Sequence, residues 1–397
     1  MSSSRAPVIS PGATIGIFGG GQLGRMTALA ARSMGYRLHV LDPDGECSAA
    51  AVADRVVAAP FDDVDAAREL ARHCDVVTLE IEQIAAAALE AAAEYAPTRP
   101  GAAVIGIIQD RARQKEWLRA NGFPIGAFRT ANSASDVAGA LHEFETAFMK
   151  SCRGGYDGRS QIRLRHGDDP HSAWTGLGGR TAVVEQALDL AAEISVMVAR
   201  RPSGDVLAYQ PALNHHERQI LSWSVMPAPV DASITTRATA IALEIATRIG
   251  LEGILGIELF LTHDGQLLVN ELAPRPHNSY HASDRACVTG QFEQITRAVC
   301  DLPLGDVGIV RPGAIVNLFG DCWIDGAEPD FAAALGDPRV RLHLYGKRGA
   351  RPGRKMGHLS AVGGSASDAL AAVRAAAQRI GVATGEPPAD LRALHLA

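Results

Sequence analysis

Glu258 and Glu271 lie in the stretch ILGIELFLTHDGQLLVNELAPRPHN (254–278). It reads as two apolar strands joined at Asp264-Gly265, a strong hairpin signal. A two-residue turn there predicts that His263 faces Gln266, Phe260 faces Val269 and Glu258 stands opposite Glu271. Cross-strand neighbours have Cβ atoms ~5 Å apart. At that separation two carboxylates repel by ~3 kcal/mol at an effective dielectric of ~20, whereas a favourable cross-strand pair contributes only ~0.2–1 kcal/mol. A cation must therefore sit between the acids, or one of them must stay protonated. Oxygen-only ligands at the end of a hairpin suit Mg²⁺, which takes one or two carboxylates and completes its shell with substrate phosphates. A solvated strand end, with both acids facing water, is the competing reading. The hairpin alone does not choose between them.

Basic residues narrow the chemistry. Of 38 Lys and Arg only four are lysine: Lys115, Lys150, Lys347 and Lys355. In a chain that otherwise uses arginine, each lysine hints at a need for a compact, mobile point charge, commonly against phosphate. Lys150 and Arg159 flank SCRGGYDGRS (151–160), a glycine-rich turn whose backbone amides can cradle phosphates. A plain hairpin link is the alternative, but Gly154 and Gly155 before Tyr156-Asp157-Gly158 exceed what a hairpin needs. Asp157 is out of place beside phosphates unless it has its own task. Lys347, Arg351, Arg354 and Lys355 fall within nine residues and suggest a phosphate or phosphoribosyl site on an acidic protein. In APRPHNSYH (273–281), two prolines stiffen the segment and hold out Arg275, His277 and Asn278.

The elements that position these residues follow from periodicity. Residues 13–42 read as β-α-β with G-x-G-x-x-G at Gly19, Gly21 and Gly24, and Asp42 ends the second strand. This matches the dinucleotide fingerprint. It also fits any phosphate or carboxylate at a helix N-terminus, or a tight turn with no ligand. Further α/β units run to about residue 105. The strand DVVTLEIE (75–82) carries Glu80 and Glu82 on one face, where α/β sheets bind ligands; one of them could instead cap the helix beginning near Ala85. QDRARQKEWLRANG is an amphipathic helix with Asp110 as N-cap and Gly122 beyond its end. Arg111 in its first turn opposes the helix dipole, which a ligand anion would explain. Strands ending at Lys150 and near Glu185 follow. The connector after Glu185 is a natural adenine slot, Glu193 lies on the next strand, and His216 could meet a phosphate. A helix over 231–249 leads into the acidic hairpin. From 304 onward the chain reads as a small β-rich unit with a last helix over 366–380.

Composition sets bounds. A length of 397 residues predicts two or three domains. A hydrophobic content of 47% with mean hydropathy +0.03 is that of a soluble globular protein. No stretch approaches a membrane span, and MSSSRAPVISPGA has no signal-peptide core. The net charge of −6 argues against a nucleic-acid surface. Six scattered cysteines without C-x-x-C indicate neither zinc nor disulfides; a reducing cytoplasm is the simple reading.

Taken together, GGGQLGRM, QDRARQK, GGYDGR, VEQ, NELAPRPHNS and YGK with RPGRKMGH resemble the N5-carboxyaminoimidazole ribonucleotide synthases, a family of ATP-grasp enzymes, over nearly the whole chain. The resemblance implies an α/β and α+β architecture. It comprises a Rossmann-like pre-ATP-grasp domain (1–107), an ATP-grasp lid (108–190), a large subdomain with the metal hairpin (191–303) and a small β-rich C-terminal domain (304–397). It implies conversion of ATP, bicarbonate and aminoimidazole ribonucleotide to the N-carboxylated ribonucleotide, ADP and phosphate by way of carboxyphosphate, in a cytoplasmic homodimer with no nucleic-acid or membrane partner. Mg²⁺, with Mn²⁺ as an alternative, would be held by Glu258 and Glu271. ATP would contact Arg111, Lys150, Gly154, Gly155, Tyr156, Asp157, Gly158, Arg159, Glu185, Gln186, Ala187, Leu188, Glu193, His216, Asn270 and Glu271. Strand alternation points Asn270 to the face opposite the acids. The ribonucleotide would meet Gln22, Leu23, Glu82, Tyr156, Arg159, Arg275, His277, Asn278, Lys347 and Arg354. Asp157, Lys150 and Arg275 would be catalytic. Ser160, Leu213 and Tyr280 depart from the family pattern, which bears on loop mobility and substrate fit. The rival readings are a formate-dependent glycinamide ribonucleotide formyltransferase of the same architecture, a nicotinamide dehydrogenase resting on residues 13–42 alone, and a catalytically dead nucleotide binder.

Overall fold

The computed structural model describes residues 8–154, 161–217, 219–323 and 326–385. Its first sheet is parallel, with β1 (Thr14–Phe18), β2 (Arg37–Asp42), β3 (Arg55–Ala58) and β4 (Val76–Leu79) in the order β3-β2-β1-β4. All five residues of β1 are buried, as expected when helices cover both faces of a parallel sheet. The Gln22–Ser33 helix starts directly after the glycine turn. β4 stops at Leu79, so Glu80 and Glu82 lie beyond the strand rather than on one of its faces.

The second sheet is antiparallel. β5 (Phe128–Ala131), β6 (Thr146–Ser151), β7 (Gln161–Arg165) and β8 (Ala182–Gln186) run in the order β5-β8-β6-β7. The preceding Arg111–Ala120 helix is capped as expected, with the Asp110 carboxylate accepting the Arg113 N–H at 3.2 Å.

The third sheet has nine strands: β9 (Leu190–Arg200), β10 (Val206–Ala208), β11 (Ala212–Glu217), β12 (Ile220–Met226), β13 (Gly253–Thr262), β14 (Leu267–Ala273), β15 (Gly313–Phe319), β16 (Val340–Leu344) and β17 (Lys355–Val362). The order is β14-β13-β9-β11-β12-β15-β17-β16, with β10 on β9. Strands from beyond residue 304 thus continue the hairpin's own sheet, through the pairing of Trp223 with Val316. The Ala232–Arg248 and Ala366–Arg379 helices belong to one apolar cluster with Ile194, Leu255, Val316 and Leu359. The third sheet is therefore rigid beneath whatever its opposite face holds. Among the described residues no helix is long and apolar enough to cross a membrane.

Candidate active site

The second and third sheets face each other across a cavity of about 330 Å³. Its walls carry ionisable groups from β6, β8, β9, β11, β13, β14 and β17.

The hairpin register agrees with expectation at the acids and differs at the turn. Glu258 does pair with Glu271, but Phe260 faces Leu268 and Leu261 faces Leu267. The loop has three residues, closed by Thr262 N–H to Gln266 O at 3.1 Å, with Gly265 at φ +79°. That extra residue shifts the register by one. An irregularity between Glu258 and Leu259 shifts it back, because Asn270 on β14 has no partner across the ladder. The bulge also re-aims Asn270. Strand alternation predicted the opposite face, yet Asn270 Nδ2 donates to Glu258 Oε2 at 3.0 Å.

Each acid has a cationic or hydrogen-bonding neighbour of its own. His277 Nε2 lies 3.2 Å from Glu258 Oε1, and Arg111 Nη2 lies 3.5 Å from Glu271 Oε2. Burial opposes the charge on Glu258, but His277, His216 and Asn270 outweigh it and hold the carboxyl well below its usual range. Glu271 is the anion that rationalises Arg111 in the first turn of its helix. Among the described residues no group of three or more His, Cys, Asp or Glu forms a self-contained metal cage. Two carboxylates beside an amide oxygen still match a hard divalent cation whose remaining ligands come from phosphate and water.

Lys150 and Lys115 converge on one carboxylate. Lys150 Nζ is 2.8 Å from Glu185 Oε2, and Lys115 Nζ is 3.1 Å from Glu185 Oε1. Burial alone would raise the Glu185 pKa; the two ammonium groups pull it down to about 2. Lys115 is 4% exposed and was not among the expected ligands, although the scarcity of lysine had marked it. The chain after Glu185 runs along the cavity. Gln186 and Leu188 line it, while the N–H of Ala187 is held by Thr146 O at 2.9 Å. At the far end His216 Nδ1 sits 2.9 Å from Glu193 Oε2. Burial works against a charge on His216, but the Glu193 carboxylate prevails and its pKa is raised.

The N-terminal glycine turn carries an internal anion. Glu80 accepts the Gly21 N–H at 2.5 Å and the Gly24 N–H at 2.6 Å. Asp42 accepts the Gly20 N–H at 2.7 Å. A Cβ on Gly19 or Gly21 would collide with Glu80. The place where a dinucleotide would put its pyrophosphate, on the amides at the start of the helix, is thus taken by the Glu80 carboxylate, which removes the dehydrogenase reading. Neither Glu80 nor Glu82 caps the Ala86–Ala93 helix, whose N-cap is Ala85. Glu82 instead pairs with Arg275 in a two-pronged contact, Nε–Oε2 2.6 Å and Nη2–Oε1 3.1 Å.

The cavity therefore gathers Arg111, Lys150, Glu185, Gln186, Leu188, Glu193, His216, Glu258, Asn270 and Glu271 with Glu82, Arg275, His277 and Asn278. Both polar atoms of the Asn278 side chain are buried there without a partner. Lys355 also lines the cavity, as do Phe148, Leu190 and Phe260; the aromatic and aliphatic members carry no chemical signature in sequence. Expected residues outside it are Gln22, Leu23, Gly154, Ala187, Lys347 and Arg354. Gln22 opens its helix beside the glycine turn, whereas the Leu23 side chain is buried at 6% exposure, so only its backbone could meet a ligand. Gly154 has φ +79°. Gly155, Tyr156, Asp157, Gly158, Arg159 and Ser160 lie outside the described residues. Lys347 Nζ stands 5.7 Å above the Tyr345 ring. Arg354 Nη1 donates to Arg348 O and, at 3.0 Å, to Gly349 O, so part of its guanidinium braces its own loop. Arg348 in that loop pairs with Glu46 of the first sheet's domain. The departures at Leu213 and Tyr280 are core residues: Leu213 is 3% exposed, and Tyr280, at 0%, has its hydroxyl 2.8 Å from Ser195 O.

Comparison with known proteins supplies independent findings. Residues 12–109 match the ribonucleotide synthetase preATP-grasp domain, 116–292 the ATP-grasp domain and 313–372 the phosphoribosylaminoimidazole carboxylase C-terminal domain. The chain is 38% identical over 358 residues to an N5-carboxyaminoimidazole ribonucleotide synthase of Bacillus subtilis, covering 89% of this chain and 92% of that one. It is 38% identical over 357 residues to the Brucella melitensis protein of the same name, covering 89% and 97%. An Aspergillus clavatus N5-carboxyaminoimidazole synthase, crystallised with ADP and 5-aminoimidazole ribonucleotide, superimposes with a TM-score of 0.85 at 31% identity, covering 93% of this chain and 98% of that one.

Proposed function

The chain belongs to the N5-carboxyaminoimidazole ribonucleotide synthase family of ATP-grasp enzymes, and from that premise we propose that it uses ATP to carboxylate 5-aminoimidazole ribonucleotide with bicarbonate, through carboxyphosphate. The observation that carries this reading is that one cavity brings two acids, Glu258 and Glu271, together with the Lys115–Glu185–Lys150 cluster and the Glu82–Arg275 pair. ADP release should require bicarbonate and aminoimidazole ribonucleotide together for full rate. A rate unchanged by omitting both would refute the assignment.

Glu258, Glu271 and the Asn270 carbonyl suit Mg²⁺ or Mn²⁺, which when bound would neutralise charge developing on the phosphates. Lys150, fixed by Glu185, reaches the phosphates from β6. Gln186 to Leu188 receive the base, and Glu193 with His216 closes the ribose end. Arg275, oriented by Glu82, supports the carboxylate-bearing side of the reaction. The protein acts in the cytoplasm, as a homodimer. Catalysis is mostly positioning and charge neutralisation, as in other phosphoryl transfers.

Two tests divide the substrates. Lys347→Ala is expected to raise the KM for the ribonucleotide at least about tenfold, the loss of one charge-assisted contact, while the KM for ATP stays within about twofold. Equal effects would refute a ribonucleotide role. Arg354→Ala is the less clean variant, because it also frees the 348–349 carbonyls. Asp157→Asn is expected to lower carboxylated product about 10²-fold, the lower range for losing a general base, while ADP still forms with bicarbonate. Parallel loss of ADP and product at unchanged ribonucleotide affinity would assign Asp157 to phosphoryl transfer instead.

A further inference from the structure

Behind Glu258 runs a chain of buried polar side chains within the third sheet. Ser195 on β9, Ser224 on β12 and Ser279 after the hairpin are each 0% exposed, and Asn214 on β11 is 6% exposed. Polar groups in such a place are costly unless fully hydrogen-bonded. Here they form one line. Ser224 Oγ shares its hydrogen between Asn214 Oδ1 at 3.0 Å and Ser279 O at 2.9 Å. Asn214 Nδ2 donates to Ser195 Oγ at 3.1 Å. Ser195 Oγ lies 2.8 Å from Ser279 Oγ, and Ser279 Oγ lies 2.7 Å from His277 Nδ1.

The direction of the hydrogens follows by counting. An amide oxygen has none, so Ser224 must donate to it. An amide nitrogen only donates, so Ser195 Oγ accepts from Asn214; among the described residues the one acceptor in reach of its own hydrogen is Ser279 Oγ, and that hydrogen is satisfied only if Ser195 donates to Ser279. Ser279 then donates to His277 Nδ1. In the neutral form of the ring the remaining proton then stands on Nε2, which faces Glu258 Oε1 at 3.2 Å. The backbone of His277 is held as well: Gln291 Oε1 accepts its N–H at 2.8 Å and Gln291 Nε2 donates to its carbonyl at 3.0 Å.

We propose that Ser279, Ser195 and Asn214 are positioning residues which set the His277 tautomer, so that Nε2–H is aimed at Glu258. With Asn270 Nδ2 on its other oxygen, the Glu258 carboxylate is fixed at both ends. Partners of this kind orient a ligand carboxylate, and their loss typically costs 10–100-fold. The effect on turnover rests on Glu258 serving a metal, as proposed above; the tautomer does not.

The test is ¹⁵N NMR of the full-length, histidine-labelled, metal-free protein at pH 8, with His277 assigned through His277→Gln. The neutral form of the wild-type ring should show a pyrrole-type Nε2 and a pyridine-type Nδ1. Ser279→Ala, and the volume-conserving Ser279→Cys, should lose that preference and lower Mg²⁺-dependent kcat about tenfold. A neutral wild-type ring that carries its proton on Nδ1 overturns the ordering and implies that the Asn214 amide is turned over. A variant that loses turnover with an unmoved His277 signal also overturns it, because that loss is merely structural. If wild type gives the expected signal but no Mg²⁺-dependent ATP turnover, the positioning stands and the functional reading falls.

Discussion

Glu271→Gln is expected to reduce Mg²⁺-dependent ATP turnover by about 10³-fold, the loss of several kcal/mol of charge stabilisation, while the protein folds normally. From sequence alone, removing one of two repelling acids should stabilise the metal-free protein. The structure reduces that gain. Glu258 already has His277 and Asn270 as partners, and Glu271 has Arg111. The Glu271 side chain is 39% exposed and its ion pair with Arg111 is long, so the pair contributes at most about 1 kcal/mol. Arg111 also keeps its bond to Ser151 O at 3.2 Å. An unfolding midpoint close to wild type, with turnover lost, is the expected pattern. Normal turnover at saturating Mg²⁺ would remove Glu271 from the metal site.

The register of the hairpin illustrates what was legible. Apolar patterning and Asp264-Gly265 located both strands and the facing acids. The three-residue loop and the Asn270 bulge were not readable, since a bulge is set by what its side chain meets, here Glu258 from the neighbouring strand. The two deviations cancel at Glu258 and Glu271 but not at Phe260, and only the bulge explains why Asn270 shares the acids' face. The lysine count was a useful guide beside the motifs: three of the four lysines, Lys115, Lys150 and Lys355, bear on the cavity or its carboxylate. The glycine fingerprint marked a real turn and helix and left its anion open between a phosphate and a carboxylate; that the anion is Glu80 was not legible, because Glu80 lies 59 residues from Gly21 in sequence. The Ser195, Asn214, Ser224 and Ser279 line was invisible for the same reason. Each member is an ordinary small polar residue in its own segment, and only the order of strands β9, β11 and β12 brings them together.

Glu185→Gln is expected to have the largest effect on stability, and that effect should depend on pH. Glu185 is 8% exposed and is the shared partner of two ammonium groups. Glutamine keeps the shape and removes the charge, leaving Lys115 and Lys150 facing each other without an anion. Breaking a buried pair by removing one partner typically costs 3–5 kcal/mol. The sign of the pH dependence follows from the carboxyl, whose pKa is depressed from its usual 4.5 to about 2 in the folded protein. A group depressed on folding contributes stability that is fully present above its unfolded pKa and is lost as pH falls through the folded one. At pH 7 wild type should therefore exceed the variant by about 3 kcal/mol or more. As the pH falls from about 4.5 towards 2 the difference should shrink, because protonated glutamic acid is nearly the isostere of glutamine. Denaturant unfolding of both proteins at pH 7, 4 and 3 measures it. A difference that stays constant across that range would mean that packing, not the charge of Glu185, holds this wall of the cavity. A rise in the KM for ATP should accompany the stability loss at pH 7, since the same carboxylate aims Lys150 at the phosphates.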